Sequence, residues 1–334
     1  MIGSAIEQMS TAIARGPGRR AALAGLFGGA AAMAAMGSAS SRAATSMDDV
    51  RRQYPNFDWD SPEANQRILT RLYATMEPGK TSYLYFFGRG VGTTGPDDYT
   101  PLFRMESIAA VRAFPLGNGK IRYFSGQVIL FLDWATGKVL DWWKNPYTEE
   151  VCEVFHYRDH PVDYTADPNN PAARYSDPTD NGNRRRGLIW NFRKDTAYGD
   201  AFVQTKIKNR LDPREWPRES IGEYWTTFEH YQWQGKIAEI VDESLASVPS
   251  MYGDVQTFKP FEPWMLMGQR PGKVFQQKSI MKIDGLHQIP RHVADYIEKN
   301  LAQYLDLSDI PEGAYKLNDE HYRETHKPKP AKSG

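Results

Sequence analysis

Apolar and polar positions change their period along the chain, and the changes mark out the elements. Between residues 61 and 76, Ile68, Leu69, Leu72 and Tyr73 recur at helical spacing. Ser61-Pro62-Glu63 stands in front as an N-cap, a proline at N1 and an early acid, and Pro78-Gly79 ends the predicted helix. Period two follows. Strands are predicted over residues 81–91, 102–114, 121–132, 139–144 and 151–157, with short turns between most of them. Gly117-Asn118-Gly119 makes one of those turns, because Asn and Gly accept a positive φ at little cost. Ala135-Thr136-Gly137 makes another. In the fifth strand Cys152, Val154 and His156 share one face. Residues 160–186 read as a long polar loop with prolines at 161, 168, 171 and 178. Strand pattern returns over 188–193, 201–207, 223–233 and 251–258. A second helix is expected over 290–304, with Val293, Ile297, Leu301 and Tyr304 on one face.

Successive strands with short loops make the fold mainly β (α+β). The expectation is an antiparallel β-meander forming a barrel or a strongly curved sheet, with flanking N- and C-terminal helices. Residues 60–310 make one such domain, and a Lys- and Pro-rich tail over 325–334 is expected to be disordered.

Residues 1–43 follow another logic. Arg15, Arg19 and Arg20 precede an uncharged run from Ala21 to Met36, and Ser41-Arg42-Ala43 supplies small residues before a cleavage point. This is the layout of an export signal, and Arg19-Arg20 points to the twin-arginine route, although Ala22 and Ala24 depart from its usual pattern. The apolar run is short for a membrane span, so the expectation is a cleaved signal, a periplasmic protein and no stable membrane insertion afterwards. Removal of four arginines and one glutamate there turns 41 basic and 41 acidic residues into 37 and 40. A mildly acidic chain argues against a nucleic-acid partner. Cys152, the only cysteine, excludes an intramolecular disulfide and a cysteine zinc site.

Candidate chemistry starts from what is absent. The sequence has no Gly-x-Gly-x-x-Gly, Gly-x-x-x-x-Gly-Lys-Ser/Thr, Gly-x-Ser-x-Gly or His-Glu-x-x-His string, so no cofactor or metal is expected. His156 and His160, with Asp159 and Asp163 near them, and His230 beside Glu229 are weak metal candidates. Acid–base chemistry remains. Arg104 and Glu106, two apart on one strand, share a face. Trp225, Thr227, Glu229 and Tyr231 share one face of their strand, and Tyr224, Thr226, Phe228 and His230 the other. A carboxyl among aromatic side chains tends to be held protonated, which suits Glu229 for proton transfer. His156 and Glu229 are therefore the candidate acid–base groups, Arg104 or Arg270 the cation, and Tyr123 or Tyr224 a proton-passing phenol. Trp264, Met265 and Met267, with Trp190 and Glu106, are candidate substrate contacts. The alternative for the Trp264 segment is a core plug, and for His156 a satisfied core histidine.

Several strings carry a resemblance. Asp133-Trp134-Ala135-Thr136-Gly137-Lys138 is followed by Trp143-Lys144-Asn145-Pro146-Tyr147-Thr148, then by Glu153-Val154-Phe155-His156 and Asp159-His160-Pro161-Val162. Much later stands Pro263-Trp264-Met265-Leu266-Met267-Gly268-Gln269-Arg270-Pro271-Gly272. Over residues 60–310 the chain resembles the bacterial and fungal family named domain of unknown function 1838, whose members are often exported. The resemblance implies a β-rich fold and no agreed catalytic set. Aromatic residues are 13% of the chain, with 18 Tyr, 15 Phe and 9 Trp, enough to wall a pocket as well as fill a core. The resulting expectation is an exported, cofactor-independent enzyme acting on a hydrophobic aromatic small molecule. Its most concrete form is a lyase on lignin-derived phenolic compounds. A lipocalin-like carrier of apolar ligands and a metal-dependent hydrolase are the alternatives, and self-association is left open.

Overall fold

The computed structural model describes residues 46–168, 184–185, 188–308 and 316–331. The expected export signal lies outside the described residues. The chain enters through two helices, α1 (Met47–Gln53) and α2 (Pro62–Tyr73). Ser46 and Asp49 close a capping box on α1, each backbone N–H bonded to the other's side chain at 3.0–3.1 Å. Ser61 Oγ accepts from Ala64 N–H at 3.2 Å, so the predicted cap holds, and Pro62 opens the helix.

Ten strands form one antiparallel sheet: β1 (Ser82–Thr93), β2 (Thr100–Gly117), β3 (Lys120–Leu132), β6 (Tyr157–Ala166), β7 (Arg184–Arg185), β8 (Ile189–Arg193), β9 (Thr196–Lys208), β10 (Tyr224–Lys236), β11 (Tyr252–Lys259) and β12 (Lys273–Ile283). The order is β6-β3-β2-β1-β12-β11-β10-β9-β7, with β8 also on β9. Two meanders, one from each half of the chain, are thus joined by pairing of the first strand with the last. The expectation of a closed barrel is corrected: among the described residues β6 and β7 end the path without pairing to each other. A short helix, α3 (Ile237–Val241), follows β10 directly.

Three other expectations change. Strand pattern over 139–157 does not extend the large sheet. β4 (Trp142–Lys144) and β5 (Val151–Glu153) pair only with each other, around a turn held by Asn145. The long polar loop begins late, because β6 runs on to Ala166, where Arg122 forks onto Asp163; residues 169–183 of that loop lie outside the described residues. β12 was not marked by apolar alternation at all.

Each face of the sheet has its own packing. On one face Tyr85, Ile108, Ala110, Val128 and Leu130 meet Val293, Ile297 and Leu301 of α4 (Arg291–Asn300) and its continuation. Gly126 permits that contact, since a Cβ there would clash with the carbonyl oxygen of Tyr304. The opposite face is filled at one end by α1 and α2, whose Val50, Ile68, Leu69 and Leu72 meet Leu84, Phe86 and Trp233. Its other end is plugged by Trp264, Met265, Leu266 and Met267 against Phe103, Phe131 and Trp143. α5 (Asn318–Thr325) follows β6 in space, with Tyr322 against Phe155. Beyond it residues 326–331 carry no helix or strand, and Lys329 N–H donates to a Glu219 carboxylate oxygen at 3.0 Å.

Candidate functional site

Between the helical end and the Trp264 plug, the sheet face is left uncovered over a cavity of about 350 Å³. Strand alternation selects its lining. β10 contributes Trp225, Thr227, Glu229 and Tyr231, the face grouped from the sequence, and Trp233 two residues further on. Register then places the neighbours: Glu229 lies opposite Thr257 of β11, and Thr257 opposite Gln276 of β12. One step along, Tyr231 lies opposite Val255 and Val255 opposite Lys278. Tyr157 and Asp159 of β6 and Ser125 and Gln127 of β3 face the same space from the other half of the sheet. Leu317, Asn318 and Asp319, at the start of α5, close it.

The cavity is charged as well as aromatic. Lys259 and Glu262, 8% and 4% exposed, form an ion pair at 2.5 Å, and the Lys259 ammonium sits 5.5 Å from the Trp225 ring centroid. Lys278 is 7% exposed. Loss of hydration pulls its ammonium down to about 8, opposed by Glu229 and Glu262 and assisted by Lys259. Asp159 accepts from the Tyr157 hydroxyl and, at 2.8 Å, from Asn318 N–H. Burial nevertheless pushes its carboxyl up to about 7; Asp319 adds to the rise and Lys259 opposes it. Glu229 accepts from the Tyr231 hydroxyl at 3.3 Å. Thr257 Oγ1 is buried with no hydrogen-bond partner among the described residues. Proton exchange near neutral pH, beside two cations and under aromatic walls, is what this arrangement offers.

Of the candidate catalytic and substrate-contact residues, Glu229 alone lines the cavity. His156 is 2% exposed and lies outside it. Its Nδ1 accepts from Phe131 N–H at 3.2 Å, its ring packs edge-on to Tyr296, and burial, with Arg158 assisting, holds it down at about 3. This is a core position, though not a fully satisfied one, since Nε2 is buried with no hydrogen-bond partner among the described residues. Arg104 donates to the carbonyls of Trp134 and Ala135, pinning the turn at 135–137. Glu106 shares its face as expected, but that is the α4 face, where it accepts from Tyr85. Arg270 is exposed, and among the described residues its guanidinium reaches only the Met267 carbonyl, at 3.4 Å. Tyr224 is exposed beneath Lys206.

Tyr123 is buried one layer behind the cavity. It bonds Gln66 and Thr70, stacks on the lining residue Tyr164 and is pushed up to about 12 by burial. Trp264, Met265 and Met267 are at most 2% exposed and fill the core plug rather than the cavity wall. Trp190 donates to Asn65 at 2.7 Å and packs on Trp59, away from the cavity. His230 and Glu229 lie on opposite faces of β10, with His230 on Asp200 at 2.8 Å. Among the described residues no three His, Cys, Asp or Glu side chains converge.

Asp159, Lys259, Gln276 and Lys278 are the polar groups the sequence did not single out for acid–base work. Two of them lie on β12, the unmarked strand. A family model described as a protein of unknown function, DUF1838, matches residues 79–313, and no curated protein matches the chain. The matched segment spans β1 to α4, while α1, α2 and α5 lie outside it.

Proposed function

The chain belongs to the DUF1838 family, whose description carries no activity, and we propose that its cavity is the active site of an exported, cofactor-independent acid–base enzyme acting on a hydrophobic aromatic small molecule. One observation carries the reading: two carboxyl groups, Asp159 and Glu229, and two buried lysines, Lys259 and Lys278, face one space walled by Trp225, Tyr231 and Phe86. A carrier of purely apolar ligands has no use for four ionisable groups, whose removal from water costs stability that only pairing, as in Lys259–Glu262, offsets. The sheet curves round its ligand without closing, and the aromatic side chains of β10 take up the ring.

A lyase on phenolic compounds is the most concrete version. Lys259 receives the phenolate, whose electrons expel a benzylic oxygen. Asp159, poised near neutrality, passes the proton that the leaving oxygen needs. Glu229 then removes the side-chain proton that triggers cleavage. The export pattern of residues 1–43 supports a periplasmic location for this chemistry. The test is a mass-resolved screen of the purified protein against aromatic monomers and dimers. Loss of a small neutral fragment supports the lyase, and Asp159→Asn should slow it by 10²-fold or more, as expected for roughly the full contribution of one acid–base group. Binding without turnover across the panel would favour the carrier.

A further inference from the structure

We propose that Lys278 is a covalent catalyst, its Nζ condensing with an aldehyde or ketone carbonyl of the substrate to form an imine inside the cavity. The inference rests on the enzyme reading above and narrows its substrates to aromatic carbonyl compounds. Placement carries it. Lys278 stands mid-strand on β12, faces the cavity and is 7% exposed. Among the described residues its Nζ has no hydrogen bond or ion pair, though Glu229, Glu262 and Lys259 act on it through space.

The other two lysines nearby are otherwise. Lys259 is paired with Glu262 at 2.5 Å. Lys282, four residues further along β12, donates to the carbonyls of Arg71 and Ala74 at 2.6 and 2.9 Å and to Ser247. A lysine serving the fold is tied to oxygens in that way, and Lys278 is not. On β1 its opposite number is Gly88, so no side chain of that strand stands directly opposite it. Thr257 Oγ1, without a partner, and the Gln276 amide share its face and suit the oxygen of a carbonyl adduct. Held at about 8, Lys278 keeps about a tenth of its population as free amine at pH 7.

The atoms balance without a co-reactant. The Nζ lone pair adds to the carbonyl carbon while the carbonyl oxygen takes up a proton. The carbinolamine then loses that oxygen as water, which removes both amine protons and leaves C=N. Once protonated, the imine accepts the electron pair of the bond between its α and β carbons. A β-hydroxyl gives its proton to Glu229 and departs as a neutral aldehyde. Protonation of the enamine and addition of water release Lys278.

The test uses the full chain with 4-hydroxybenzaldehyde and cyanoborohydride at pH 7, which reduces an imine to a stable secondary amine. Peptide mass mapping should place one adduct on Lys278, formed on the order of 10² times faster than on any exposed lysine. Lys278→Arg should lose that adduct. Tryptophan quenching by 4-hydroxybenzyl alcohol, which has no carbonyl, runs in parallel. Quenching with no label on Lys278 overturns the imine and leaves the cavity reading intact. Neither quenching nor label overturns both.

Discussion

Lys278 and Asp159 both weaken the fold at neutral pH, from opposite signs of charge. Lys278 is held at about 8 when folded against an ordinary 10.5, so the unfolded chain binds its proton more tightly. The penalty is complete below pH 8 and fades as pH rises toward 10.5. Lys278→Met should therefore raise stability at pH 7 by roughly 1–3 kcal/mol while abolishing turnover. Urea unfolding measures this, and a loss of stability would mean that Lys278 serves the fold. Asp159 shifts the other way, to about 7 from 3.8. Its penalty is absent below pH 3.8, grows up to pH 7 and is constant above. The groups acting on it are Tyr157 on its own strand, Lys259 from β11, and Asn318 and Asp319 from α5. Asp159→Asn should match the wild type in unfolding free energy near pH 4 and exceed it at pH 8 by roughly 1–3 kcal/mol once water in the cavity is allowed for, as urea unfolding at the two pH values would show. Glu229 was legible because Trp225 and Tyr231 flank it on one strand face. Lys278 was not. The inward positions of β12 are Val274, Gln276, Lys278 and Ile280. Two polar residues where a core-facing strand shows apolar ones erase the alternation that reveals strands, and they are polar because that stretch faces the cavity.

Among the elements, the β4–β5 hairpin and the Trp264 plug form a unit. Asn145 is fully buried, and its Nδ2 donates to the Met265 carbonyl at 2.7 Å. Its Oδ1 accepts from the N–H groups of Tyr147 and Thr148 at 2.8 and 3.3 Å. One side chain thus shapes the hairpin turn and fastens the plug to it. Asn145→Ala would strand a buried carbonyl and two turn amides, and should cost about 2–4 kcal/mol. Trp264→Ala should cost about 3–5 kcal/mol, the range for removing a buried aromatic from a packed core. Affinity for a phenolic ligand should change little for either variant when measured well below its unfolding temperature. A large loss of affinity with small loss of stability would return Trp264 to the ligand wall. The sequence marked Asn145 as a turn residue and the Pro-Trp-Met string as distinctive. Which face the string served depended on contacts more than 100 residues away in the chain, and local pattern carries no record of those.

At the scale of the whole molecule, the open sheet has a seam, and α5 covers it. On one side lies β6, where Asn318 N–H donates to Asp159 and Asn318 Oδ1 accepts from Arg158 N–H at 3.0 Å. On the other, Arg210, just beyond β9, lies 3.6 Å from Asp319 and 3.7 Å from Glu320. The helix thereby bridges the two ends of a sheet that the strands leave unjoined. Residues of α5 also help to bury Asp159: burial and the charge of Asp319 raise its pKa while the Asn318 N–H bond lowers it, so closing the seam and setting that pKa are one structural event. A chain ending at residue 315 keeps every strand of the sheet and loses this bridge. Such a protein should still unfold cooperatively. Water would reach Asp159, and its carboxyl should return toward 3.8, moving any activity limb set by Asp159 to lower pH. Ligand affinity should fall at least tenfold as the cavity loses a wall. A ¹³C-carboxyl NMR titration of the two proteins follows Asp159 directly. An unchanged titration in the shortened chain would show that β6 and its sheet neighbours, rather than α5, bury the carboxyl.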